Sequence, residues 1–186
     1  MIVNERPAPK NDHGTPPGTG SPAGTVDAAI GALGILARRK IEAEIIKPIY
    51  EEMVARFGRE AARAVLEAAI TRAAIESGQR LAAAEPGPTD LSTFAALQPK
   101  WRQDGALEVE ILAETPTRFD YDVTRCRYAE MYHAMGLGEI GDILSCRRDA
   151  TFCQGYDARI RMERSTTIMQ GAARCDFRYG IAAEER

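Results

Sequence analysis

In LEVEILAETPTRFDYDV (residues 107–123) apolar residues recur at every second position. Leu107, Val109 and Ile111 alternate with Glu108 and Glu110; after Thr115-Pro116-Thr117, Phe119, Tyr121 and Val123 alternate with Asp120 and Asp122. Successive side chains of a strand point to opposite faces, so the pattern predicts a β-hairpin with one buried face. Toward the C-terminus, Thr124 is placed to cap a helix that runs through Met135 and stops at Gly136 and Gly138. A second helix is expected over residues 139–154, ending near Gly155. A second hairpin follows. Its first strand places Ile160, Met162, Arg164, Thr166 and Ile168 on one face, Gly171 sits in the turn, and Cys175, Phe177 and Tyr179 alternate on the return strand.

Toward the N-terminus the period becomes helical. Ile41, Ile45, Ile49 and Met53 recur every four residues and predict one buried stripe. Pro48 is expected to kink or break that helix near Lys47, and Gly58 to cap it. The next helix, residues 59–84, turns Val65, Leu66, Ala69, Ile70 and Ala73 to its packing side. Its alanines permit close approach, so the two helices form a hairpin or, equally, a surface for homo-oligomer formation. Residues 85–90 (EPGPTD) end it, Asp90 or Ser92 caps a further short helix, and Trp101 serves as a packing anchor. The sum is an α+β fold: an N-terminal helical hairpin, then two β-hairpins forming a small antiparallel sheet with two helices between them.

With 186 residues, 45% of them hydrophobic, the chain is long enough for one well-packed domain, read as residues 26–186. Residues 1–25 hold five of the ten prolines and no apolar period, the composition of a disordered tail. Lys and Arg number 24 against 27 Asp and Glu, so no broad field favours nucleic acid or an anionic membrane. Without an apolar run of signal-peptide or membrane-spanning kind, the expectation is a soluble, cytoplasmic protein with reduced thiols. Successive cysteines are separated by 19, 6 and 21 residues, so there is no CxxC pair and little sign of a zinc ribbon. The common nucleotide and metallohydrolase motifs are absent, and neither a nucleotide nor a flavin cofactor is indicated. Of two histidines, His13 belongs to the tail, so any divalent metal would be held by Cys, Glu and Asp.

Chemistry concentrates in residues 124–179, which contain all four cysteines. Cys126, Glu130 and His133, spaced by four and three, would share one helix face. A thiol beside a base is how a cysteine nucleophile is activated; the trio could also ligate a metal, or Cys126 could simply be a small buried group. Period two sends Cys175 and Asp176 to opposite faces unless the strand begins there. Arg164, on an apolar strand face, needs a carboxylate from the protein or from a ligand. Asp149, next to Arg147 and Arg148, is either an internal salt bridge or a group that orients a substrate cation. Thr166 and Gln170 add neutral donors and acceptors. A small, polar, carboxylate-bearing ligand suits this set.

The ordered string TRC, AEMY, RD, TIMQG and CDFRY, within residues 124–179, resembles the L-2-amino-thiazoline-4-carboxylic acid hydrolase family, as does IEAEIIKPIYEEMVARFG upstream. The resemblance covers about residues 35–179 and implies hydrolytic opening of a small cyclic amidine or amide. Water or an enzyme nucleophile attacks the ring carbon of the C–N bond while a second group protonates the departing ring nitrogen. It implies Cys175 or Cys126 as nucleophile or metal ligand, Glu130 or Asp176 as acid/base, and Arg164 as a clamp on the substrate carboxylate. Thr166, Gln170 and Asp149 join as substrate-binding positions. The competing expectation is a non-catalytic small-ligand or zinc-binding module in which the cysteines are structural.

Overall fold

The computed structural model describes residues 32–181; the segment expected to be a disordered tail lies outside the described residues. Helix α1 (Ile35–Phe57) runs unbroken through Pro48, which stands on its exposed side and forgoes only one backbone bond. The break expected near Lys47 is therefore absent. Gly58, at φ 81°, joins α1 to α2 (Arg59–Ala83), a turn that glycine makes without steric cost. Ala43 and Tyr50 of α1 pack in one core with Ala62, Leu66 and Ile70 of α2.

This corrects the stripe expected from the four-residue repeat. Ile41, Ile45 and Ile49 are 54, 63 and 53% exposed, and only Met53 of that set turns toward the core. Helix α1 carries two apolar faces, and the packed one offers a small alanine for close approach and a tyrosine whose hydroxyl reaches Glu139 at 2.8 Å. On α2 the buried positions step by four from Ala62 to Gly78, which leaves Val65 outside.

Asp90 caps α3 (Leu91–Ala95) through a reciprocal pair: its Oδ1 accepts from the Thr93 N–H at 2.7 Å, and the Thr93 hydroxyl accepts from the Asp90 N–H at 2.9 Å. Helix α4 (Gln98–Arg102) then leads into an antiparallel sheet of order β1-β2-β4-β3, built from β1 (Leu107–Thr115), β2 (Arg118–Cys126), β3 (Ile160–Glu163) and β4 (Cys175–Ile181). The α+β architecture thus follows the sequence pattern. Edge strand β1 slips register at Glu108/Val109 and Ile111/Ala113, and Ile111, though opposite Tyr121, is exposed rather than buried. Strand β2 keeps pairing as far as Cys126, opposite Leu107, so α5 (Arg127–Ala134) is capped by Cys126 and not by Thr124. A π-helical turn (Asp142–Cys146) continues into α6 (Arg147–Tyr156). Strand β3 ends at Glu163, which places Arg164 beyond the sheet instead of on a strand face.

One sheet face is apolar. Phe119, Tyr121 and Val123 lie opposite Tyr179, Phe177 and Cys175, and this layer packs with Phe94, Phe152 and Tyr156. The other face is ion-paired: Asp122 accepts from Arg178 at 2.9 Å and Arg118 Nε donates to Asp120 at 2.6 Å. No described helix is long and apolar enough to cross a membrane. Helices α2 and α6 meet at Gly78 and Gly155, where an added Cβ would overlap the carbonyl oxygens of Phe152 and Ile75. Gly155→Ala is expected to destabilise the fold by about 1–3 kcal/mol through overpacking, read as a lower urea midpoint at constant m-value.

Candidate active site

Between the apolar sheet face and helices α1, α2, α4 and α6 lies a cavity of about 140 Å³. Much of its apolar wall is aromatic, with Tyr121, Phe177 and Tyr179 from the sheet and Phe94, Trp101 and Phe152 from the helices. An apolar cavity of roughly 150 Å³ is enough to hold benzene, so the space suits a single small ring.

Three thiols open into it, and the fold explains each. Cys126 ends β2, Cys175 begins β4, and Cys146 closes the π-helical turn one helical turn before Asp149. Arg164, just past β3, donates Nη1 to Asp149 Oδ2 at 2.6 Å and Nη2 to the Cys146 carbonyl at 2.9 Å. Its guanidinium also lies over the Phe177 ring, 4.8 Å from the centroid. The Arg164 side chain is 10% exposed and that of Asp149 29%, so the pair is largely withdrawn from solvent and its charges need these partners. Of the two partners open to Arg164, the protein's own carboxylate is the one present.

Burial raises the Asp149 carboxyl above its ordinary range, with Arg164 and Arg148 pulling it back only in part. Asp149 in turn discourages ionisation of its neighbours. Burial, aided by that charge, pushes Tyr121, Tyr179 and Cys146 well up. Cys126 is pushed up to about 11, chiefly by burial. Cys175 is also raised by burial, but its Sγ accepts the Ile168 N–H at 3.2 Å, and that bond and the Arg164 charge oppose the shift.

A second cationic group lines the cavity from α1 and α6. Arg39 donates to Glu42 at 2.7 and 2.6 Å, and Arg148 lies 3.6 Å from the same carboxylate. Two guanidiniums therefore share the Glu42 carboxylate, with Asp149 a weaker influence on Arg148, and burial together with Arg39 lowers Arg148 to about 10. This is the attraction a ligand carboxylate would answer.

Of the residues singled out in the sequence, the fold brings Cys126, Cys175, Asp149 and Arg164 to the cavity. The other candidate site residues, Asp176, Thr166, Gln170 and Glu130, lie elsewhere. Asp176 faces the opposite side of the sheet from Cys175 and accepts from the Ser165 N–H at 3.0 Å and the Thr166 N–H at 2.6 Å. Burial would raise its carboxyl, but these bonds and those from the two hydroxyls hold it far below the usual range. Thr166 spends its hydroxyl on Asp176 and the Arg174 carbonyl, and Gln170 Oε1 accepts from the Thr167 hydroxyl. Glu130 is a solvent-exposed partner of Arg125 at 2.8 Å, and His133 Nε2 lies 3.2 Å from the Met169 carbonyl. Sequence reasoning missed Arg39, Arg148 and Gln98. Arg148 is the arginine of the RD motif itself, whereas Gln98 gave no signal at all. Among the described residues no three His, Cys, Asp or Glu side chains come together as a metal site, and all four cysteines are free thiols.

The family model for L-2-amino-thiazoline-4-carboxylic acid hydrolase matches residues 38–179. The chain belongs to that family. The matched range contains every charged side chain that lines the cavity, from Arg39 to Arg164. No curated protein matches the sequence. Among solved structures, the phenol-responsive sensory domain of the transcription activator PoxR with phenol is similar at 12% identity and TM-score 0.48, over 74% of this chain and 73% of that one. A trafficking protein particle complex subunit 3 from Naegleria fowleri, covalently bound to palmitic acid, is similar at 11% identity and TM-score 0.45, over 79% and 99% of the two chains.

The raised Cys126 pKa has a measurable sign. It stabilises the fold below pH 9, and that contribution is lost as pH rises through about 11. Because alkylation follows thiolate fraction, iodoacetamide at pH 8 should label Cys126 roughly a hundredfold more slowly in the native protein than in urea. Peptide mapping by mass spectrometry would read this, and equal rates in the two states would contradict it.

Proposed function

We propose that the protein hydrolyses the ring of a small cyclic amidine or amide that bears a carboxylate, with a 2-aminothiazoline-4-carboxylate-like substrate. The observation that supports this is the cavity itself: an aromatic slot of single-ring size holding Asp149, Arg164 and Cys175, with a cationic group short of carboxylate.

In this reading the substrate carboxylate joins Arg148 and Arg39, and the ring lies against Phe177 and Tyr121. Asp149, its affinity for protons raised by burial, takes a proton from the attacking group and returns it to the leaving ring atom. Direct attack forms a bond from the water oxygen to ring carbon C2, breaks one ring bond at that carbon, and leaves a product one water heavier. If the Cys175 sulfur attacks first, the ring opens onto the enzyme and water then releases the product, with the same overall balance. Arg164 holds Asp149 in place and, with its charge, favours the Cys175 thiolate.

The burial that raises all three cavity thiols favours one second reading, a small-ligand module that binds such a compound without breaking a bond.

Incubation with L-2-aminothiazoline-4-carboxylate should yield a product one water heavier by mass spectrometry. A new thiol in it would mean that the C2–S bond broke, and a new primary amine that C2–N broke. Asp149→Asn should lower turnover roughly 10²–10⁴-fold. Cys175→Ala should do so only if sulfur is the nucleophile. Saturable binding without product would establish the binding module instead.

A further inference from the structure

We infer that Gln98 is a specificity-determining residue whose side-chain oxygen accepts a hydrogen bond from an N–H of the cavity's ligand. The inference rests on the cavity being the ligand site, and names which ring compounds it takes.

Gln98 opens α4, lines the cavity and is 8% exposed. Its Nε2 donates to the Tyr121 hydroxyl at 3.0 Å, which fixes the amide and turns the other end away from Tyr121. Among the described residues, Gln98 Oε1 is the one buried side-chain nitrogen or oxygen without a hydrogen-bond partner. Folded proteins seldom leave a buried acceptor unpaired, and a few such polar groups in an otherwise apolar pocket are what orient its ligand. The Tyr121 hydroxyl is already engaged by the other end of the same amide, and no other lining group bonds Oε1. A ligand that supplies a donor at this point gains a bond that water-exposed sites cannot match, and one that lacks it strands the oxygen.

The ligand class follows. A cyclic amidine or amide carries an amino or ring N–H, whereas a lactone, thiolactone or alkyl-substituted thiazoline of the same size does not. Gln98 therefore selects nitrogen-bearing rings, while Arg39 and Arg148 select the carboxylate.

Trp101, the only tryptophan, lines the same cavity, so stopped-flow quenching of its fluorescence reads binding before turnover. The two probes are L-2-aminothiazoline-4-carboxylate and the 2-methyl compound, which has no donor at that position. Wild type should bind the amino probe roughly tenfold or more tightly than the methyl probe, and Gln98→Leu should bring the two within about twofold. Gln98→Glu, which keeps an acceptor oxygen, should retain the preference. If Gln98→Leu does not fold, Gln98→Met serves the same comparison. Equal affinities in wild type, or a preference unchanged by Gln98→Leu, would overturn the role of Gln98 and leave the site standing. Binding of neither probe would overturn both.

A separate observation carries a second inference. The geometry of α1 points to a two-fold dimer of this chain across its exposed isoleucines. Arg38, Ile41, Ile45, Ile49 and Glu52 fall on one strip opposite the buried face, with Ile41, Ile45 and Ile49 all more than half exposed. In an antiparallel pair centred on Ile45, Ile41 meets Ile49 of the second copy and Arg38 meets Glu52. The strip is thus complementary to itself in both shape and charge. Glu52 already pairs with Arg56 at 2.6 Å, so the second copy would complete a charge network at each end. Light scattering of the full chain after size exclusion should give the dimer mass, Ile45→Glu the monomer, and Arg38→Glu a weakened dimer that Glu52→Arg restores. A monomeric wild type at about 100 µM, the weak end of specific association, would overturn this.

Discussion

Everything at the candidate site turns on one desolvated charge. Asp149 lines the cavity from α6, and its cost is offset by Arg164, which arrives from beyond the end of β3. That single pair links a helix to the loop leaving the sheet, and it also sets the electrostatic tone of the cavity. The charge of Asp149 contributes to the raised pKa values of three thiols and of Tyr121 and Tyr179. The thiols and tyrosines of the wall are held neutral chiefly by burial, and the Asp149 charge adds to that effect.

The surrounding fold supplies the low dielectric that makes this work. Phe119, Tyr121, Phe177 and Tyr179 form cross-strand pairs, with the Tyr121 and Phe177 rings 4.8 Å apart. Phe94, Phe152 and Tyr156 close over them from the helices. Three of the polar groups reach the interior at element ends: Cys126 at the end of β2, Cys175 at the start of β4, Gln98 at the start of α4. Termini are where a chain can present a side chain to a cavity without interrupting a packed layer.

The same point explains what was legible in the sequence. The alternation in residues 107–123 and 175–179 reports on side-chain faces, so the sheet and the opposite faces of Cys175 and Asp176 could be read, but not which of the two the cavity takes. The convergence of Asp149 with Arg164 could not, since it depends on where β3 stops, and the continuing pattern at Thr166 and Ile168 masked that stop. Ile41, Ile45 and Ile49 show the limit of periodicity: it finds an apolar face but not which of two faces the core takes. Gln98 was invisible because an isolated amide has no period and no motif; only the absence of a partner in three dimensions marks it.

The edges of the sheet bear on the protein's behaviour when crowded. Both outer strands are poor templates for another chain: β3 is four residues long, and β1 is twice interrupted and carries Glu108, Glu110 and Glu114. Interrupted, acidic or very short edges resist edge-to-edge pairing. A sheet with so apolar an inner face, and two unpaired borders, is thereby kept from growing into aggregates through its backbone.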